Sequence, residues 1–160
     1  MNDAKLEVEY YSPALNKSIN DKSNITEEEN NHLAEKIVEA DIDRLWRSDI
    51  TVMCPEQSAI GTMCETAVLY AWKYMAEKLL PLFGTVDENS GAMYDELKRI
   101  LKKENFFHYS DIRTNHLNEK DWRRSFSINQ MLYGMILYAA KDGQLHDNFD
   151  EILNKLKLSY

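Results

Sequence analysis

The groups in this chain best suited to chemistry are four histidines and two cysteines: His32, His108, His116, His146, Cys54 and Cys64. Two ligands on one helix face need a spacing such as HExxH or HxxxH, and no histidine here supplies either. His108, Asp111 and His116 fall together in one irregular stretch and could form a small metal or acid–base site. Asp111 reads more simply as a turn or cap residue, and a histidine in a loop is usually just exposed. Cys54 precedes Pro55 at an expected helix start, where the helix dipole can activate a thiol. Cys64 lies in an apolar helical pattern and reads as a small core residue.

Other chemistries are excluded by what the sequence lacks. The five glycines are scattered singly, so there is no phosphate-cradling loop. No GxSxG and no Ser-His-Asp order suggests a hydrolase. His146-Asp147 invites comparison with helical HD-type phosphohydrolases. Those need a further Asp well downstream on another helix, and the sequence stops soon after Asp147. Glu65 sits in an apolar helix with Thr62, Leu69 and Lys73, its least apolar face, and reads as a surface acid. The expectation is a non-enzymatic protein with no catalytic residues, no metal and no cofactor.

The elements that must position these groups read mainly as helices. Residues 1–25 are rich in Asn, Ser, Lys and Asp and form an irregular arm. Within it Leu6 to Tyr10 alternates, which suits a short strand or an extended segment. Thr26 with Glu29 forms a capping box. Leu33, Ile37, Val38 and Leu45 then recur at helical spacing to about Arg47. The longest helix is expected from about Glu56 to Leu80, with Pro55 in its first turn and Pro81 and Gly84 ending it. Ile60, Met63, Ala67, Tyr70 and Tyr74 line one face, and Cys64, Val68, Ala71, Met75 and Leu79 the next. Apolar coverage this wide implies a helix packed on several sides, at the centre of a bundle.

A third helix follows Ser90, with Met93, Leu97, Ile100 and Leu101 inward. Residues 104–117 read as loop, and a short helix starts at Asn118 and carries Trp122. A second capping box, Ser127 with Gln130, opens a helix with Ile128, Met131, Leu132, Met135, Ile136 and Ala139 inside. Gly143 is its expected end. Asp147 caps a last helix with Phe149, Ile152, Leu153 and Leu156 apolar. Strand signals are nearly absent. The expected fold is therefore all-α, a single-domain bundle of about six helices over residues 26–160 behind the N-terminal arm.

One echo crosses the chain. Ile60, Met63, Leu69, Tyr70, Ala71 and Lys73 recur in the same order and at the same spacing as Ile128, Met131, Leu137, Tyr138, Ala139 and Lys141. No 34-residue period fills the interval, so a tetratricopeptide solenoid is not supported. Two buried helices drawing on one small alphabet explain the match better than a duplication.

Charge narrows the function. The chain has 27 acidic and 19 basic residues, net −8. Residues 1–96 carry −11, while residues 97–125 carry +4. The basic segment holds Lys98, Arg99, Lys102, Lys103, Arg113, Lys120, Arg123 and Arg124, interleaved with Phe106, Phe107, Tyr109 and Trp122. Cations among aromatics can grip nucleic acid. The acidic remainder would repel a polyanion, so a basic solvated face with aromatics in the core is the better reading. No apolar run approaches the roughly 18 residues of a membrane span. The N-terminus lacks a basic start followed by an apolar stretch, and the cysteines form no CxxC, so a cytoplasmic protein with reduced thiols is expected.

An acidic helical surface with an aromatic anchor suits a basic protein partner. Glu35, Glu39 and Asp43 lie on one helix face ending beside Trp46, with Asp49 just after, and these five are the expected partner-binding residues. Small, acidic, helical proteins without catalytic motifs include bacterial immunity proteins, which cover the active site of a basic nuclease toxin. The expected function is of that kind. The alternatives are a phage or mobile-element anti-defence protein, such as a DNA mimic, and a small helical enzyme using His108, Asp111 and His116. The basic segment 97–125 weakens full mimicry of DNA.

Overall fold

The computed structural model describes residues 26–55, 59–83, 91–109 and 130–159, with residues 9, 11, 12 and 15 of the arm. These are mostly helical. Among them are α1 (Glu27–Arg47), β1 (Ile50–Met53), α2 (Ile60–Leu79), α3 (Gly91–Lys102), β2 (Glu104–Phe107), α4 (Gln130–Ala139) and α5 (Phe149–Ser159), with a 3-10 turn at Leu80–Leu82. The chain divides into two compact units, one comprising Met1–Ser48 and Tyr160, the other Asp49–Ser159.

In the first unit α1 begins at the expected capping box. Thr26 Oγ1 accepts from the Glu29 amide at 3.2 Å, and Glu29 Oε2 accepts from the Thr26 amide at 2.7 Å. Those bonds to Thr26, backbone first and side chain second, hold the Glu29 carboxyl below its ordinary range. Glu27, Glu28 and Glu29 sit at the positive end of the dipole, and Arg44 and Arg47 at the negative end. The arm grips this helix. Tyr11 Oη donates to Asp41 at 3.0 Å, Arg44 donates to Glu9 at 3.2 Å, and the Arg44 guanidinium lies 5.1 Å from the Tyr11 ring centre.

To a mostly helical frame the second unit adds a short two-stranded sheet, which the expected all-α bundle does not include. β1 and β2 pair in parallel, Ile50 with Glu104 through Met53 with Phe107. A parallel pair needs a crossover, and α2 with α3 supplies it. His146 adds a one-residue parallel bridge to His108, with Tyr109 N–H donating to the His146 carbonyl at 2.8 Å and His146 N–H to the Phe107 carbonyl at 2.9 Å. β2 is therefore paired at both edges.

Residues alternate across this sheet. Thr51, Met53, Asn105, Phe107 and Tyr109 are buried on one face. Thr66 of α2 reaches the Met53 sulfur there at 3.8 Å, and Asn105 Nδ2 donates to the Ala139 carbonyl of α4 at 3.1 Å. Thr51 Oγ1 donates to Asn105 Oδ1 at 2.6 Å, so the buried amide is paired at both ends. Cys54 and Val52 stand on the opposite face and are exposed, whereas Phe106 is buried there. Phe149 of α5 meets the His108 ring edge-on at 5.5 Å.

Several helix expectations need correction. α2 packs against α3 and α4, but Cys64, Met75 and Leu79 are exposed, so its apolar circumference is covered only in part. Met93 and Met131, expected inside, are exposed, while Leu97, Ile100, Ile136 and Ala139 are buried as their spacing requires. Glu65 is half-buried, since its neighbour Leu69 lies in the core. α4 ends at Ala139, and Gly143 falls in the following turn at φ +67, a left-handed conformation that glycine adopts without strain. The helix expected at Asn118 with Trp122, the Ser127 cap, and most of the arm including Leu6–Val8 lie outside the described residues.

α2 and α4 meet through tyrosines. Tyr70 lies edge-on to Tyr138 with centres 5.2 Å apart, and Tyr74 stacks on Tyr70 at 5.9 Å. Tyr70 and Tyr138 are equivalent positions of the sequence echo. The echo goes no further. Lys73 donates to the Tyr138 carbonyl, whereas its counterpart Lys141 donates to Glu104. The two strands also pair out of step with the echo, Ile50 meeting Glu104.

Tyr138 Oη donates to the Glu77 carboxylate. That bond, followed by burial and the Glu77 charge, pushes the Tyr138 phenol up to about 12. In an ultraviolet titration one tyrosine should ionise near pH 12, late against the usual value of about 10. Glu77→Gln should abolish that late step, and a late step persisting in Tyr138→Phe would refute the assignment. The phenol's contribution to stability is present below pH about 10 and is lost as pH rises toward its folded value.

Candidate functional site

α1 carries seven carboxylates against three cations. Glu35, Glu39 and Asp43 follow one another at four-residue spacing, which places them on one helix face, and all three are exposed. Their partners differ. Asp43 accepts from Arg47 Nε at 3.0 Å, and Glu35 lies 3.6 Å from His32 Nδ1. Both pairs are solvated, so each carboxylate remains available to a stronger cation at small cost. Trp46 is half-buried. Asp49 is exposed but belongs to the second unit, where its carbonyl accepts from the Glu104 amide at 2.9 Å. Four of the five expected binding residues thus share α1, and Asp49 marks the root of β1.

Of the group proposed for an enzyme, His108 directly follows β2, while Asp111 and His116 lie outside the described residues. Among the described residues no three His, Cys, Asp or Glu side chains are placed to hold a metal ion. Cys54 is not at a helix start: α2 begins at Ile60, and Cys54 directly follows β1. The interleaved aromatics of the basic segment are core residues where they are described. Phe106, Phe107 and Tyr109 are buried and offer no ring to a base, Arg99 pairs with Glu96 at 2.6 Å, and Lys98 covers Tyr94. Lys103 is itself buried, and burial, then the nearby Arg99 charge, lower its amine to about 8.

A histidine network escapes sequence reasoning. The His146 ring is 2% exposed and faces two carboxylates, Asp142 from Nε2 at 2.9 Å and Glu151 from Nδ1 at 3.0 Å. Lys155 donates to the same Asp142 oxygen. Burial opposes ionisation of Asp142, yet the bonds from Lys155 and His146 outweigh it and hold the carboxyl below its ordinary range. The available signal is the spacing Asp142-x-x-x-His146 together with Glu151-x-x-x-Lys155. The first pair lies in a turn, where helical spacing rules do not search.

No helix of the described residues is long and apolar enough to cross a membrane. Comparison with known protein families, with curated proteins and with solved structures returns no match.

Proposed function

We propose that the protein is a non-enzymatic binding protein that docks a basic protein through the acidic face of α1, and that it acts in the cytoplasm as an inhibitor of the immunity type against a basic, nuclease-like toxin. The observation that carries this reading is the exposed row Glu35, Glu39 and Asp43 on a helix with a large excess of acid. Such a row attracts a basic surface at a distance, and its solvated position makes the effect strongest on association rate. Trp46, one turn beyond Asp43, supplies apolar contact at the end of the row.

The test starts from the purified partner, identified by capture at low salt and mass spectrometry. Its affinity should weaken roughly tenfold or more when ionic strength rises from about 50 to about 300 mM, as screening shortens the reach of the row. The double reversal Glu39→Lys with Asp43→Lys should weaken it roughly 10- to 100-fold, chiefly through slower association. An acidic partner, or tight binding indifferent to both salt and reversal, would overturn the proposal.

A further inference from the structure

The sheet brings together two residues that lie far apart in the chain. Met53 pairs with Phe107, and the ladder continues beyond them because His108 N–H donates to the Met53 carbonyl at 2.8 Å. The next register position sets Cys54 beside His108. Neighbouring strands run about 4.8 Å apart, and positions in register project to the same face. That face is the one on which Cys54 is exposed and His108 is half-buried. The pair stands at the carboxyl ends of two parallel strands, the edge at which open parallel sheets bind ligands.

The histidine is also fixed in form. His108 Nδ1 lies 3.1 Å from the His146 carbonyl oxygen. A carbonyl only accepts, so Nδ1 carries the proton and the lone pair of the neutral ring is on Nε2. The Phe149 ring buttresses the imidazole from α5. The charged groups gathered behind this row are Asp142, Glu151 and Lys155, all engaged around His146.

The geometry points to a thiol–disulfide exchange site in which Cys54 is the nucleophile and His108 its base, taking a low-molecular-weight disulfide as substrate. The proton leaves Cys54 Sγ for His108 Nε2. The sulfur attacks one sulfur of the disulfide, a new S–S bond forms to Cys54 as the old one breaks, and the departing thiolate takes the proton back from Nε2. One disulfide and one thiol are consumed and one of each is formed. Attack on a disulfide builds no oxyanion, so a thiolate and a returning proton are sufficient chemistry. This step is independent of docking by α1.

Cys64 is an internal control, because both cysteines are exposed in the same chain. The whole chain is incubated with oxidised glutathione at neutral pH, and the mixed disulfide at each cysteine is followed by peptide mass spectrometry. Cys54 should react roughly tenfold faster than Cys64 or more, a modest share of what a positioned base can contribute. In concentrated urea the two rates should converge. His108→Asn keeps a donor for the His146 carbonyl but removes the Nε2 base, and should bring Cys54 to within about twofold of Cys64. Equal rates in the native wild type would overturn the site. Fast Cys54 in folded His108→Asn would overturn the role of His108, and a difference that persists in urea would show that sequence, not the sheet, sets the reactivity. The wild-type comparison decides the matter even if the variant fails to fold.

Discussion

Truncation of Phe107 to alanine is expected to remove roughly 3–5 kcal/mol of folding stability. Phe107 is 0% exposed, sits on the middle strand, and pairs with Met53 on one side. Its neighbours on the same face, Asn105 and Tyr109, are buried as well. The ring's removal costs the transfer of its apolar surface and leaves a cavity under helices whose backbone is tied to the sheet through Asn105. Domains of this size are stable by only about 5–15 kcal/mol, so the change would take a large share of the total. The measurement is urea unfolding, read as a lower midpoint with an unchanged slope. A loss below about 1 kcal/mol would mean that this face collapses freely around the missing ring.

His146→Leu should cost roughly 2–4 kcal/mol for a different reason. A carboxylate accepts and does not donate, so Asp142 and Glu151 are both satisfied only by a ring carrying protons on both nitrogens. Leucine fills much of the same volume and serves neither. Glu151 is half-exposed and can turn to water, whereas Asp142 is largely covered and keeps only Lys155 and the Gln144 amide. The burden therefore falls on Asp142. Its carboxyl titrates below the ordinary value in the folded state. Its contribution is thus complete above about pH 4 and is lost as pH falls through the folded value. Wild type should accordingly lose stability in acid more steeply than His146→Leu, in which one of the bonds that depress Asp142 is already gone. Parallel acid limbs for the two proteins would show that the network does not hold the carboxylate.

Much of the helical frame is legible in the residues. The Thr26–Glu29 capping box and the end of α2 before Pro81 are local signals, set by a cap and a breaker close by, whereas α5 is capped one residue later than expected, by Asn148 Oδ1 accepting from the Asp150 amide at 3.0 Å in place of Asp147. The strands are not legible, for equally physical reasons. Ile50–Met53 and Glu104–Phe107 are too short for a period to register. Asn105, Phe106 and Phe107 are buried in succession because both faces of β2 are covered, and this erases the alternation that marks a half-buried strand. What pairs the strands is information held in two distant stretches, which no local window contains.

The same limit governs the site. Glu35, Glu39 and Asp43 follow helical arithmetic and come out on one face, as their spacing requires. Cys54 and His108 are ordinary in sequence and become neighbours only through the strand register. His146 reads as half of a discarded dipeptide, yet its partners are Asp142 and Glu151, one on either side of it and neither adjacent. Exposure of α2's outer face has a comparable origin. Composition shows that a helix is apolar all round, but only the position of its neighbours shows which side they leave open.

The parallel pairing also sets an order of events during synthesis. Thr51 leaves the ribosome well before Asn105, its partner on β2, a separation of 54 in the chain. At ordinary elongation rates that is a wait of roughly 3–11 s. Through that interval Ile50–Met53 is a bare strand with both edges unpaired, followed by the apolar α2. β2 in turn waits for His146, much later in the chain, before its second edge is closed. The nascent chain therefore passes through a stage in which a short sticky segment must be kept from other chains. Translation speed and chaperone supply will bear on the yield of folded protein more than the modest size of the domain suggests.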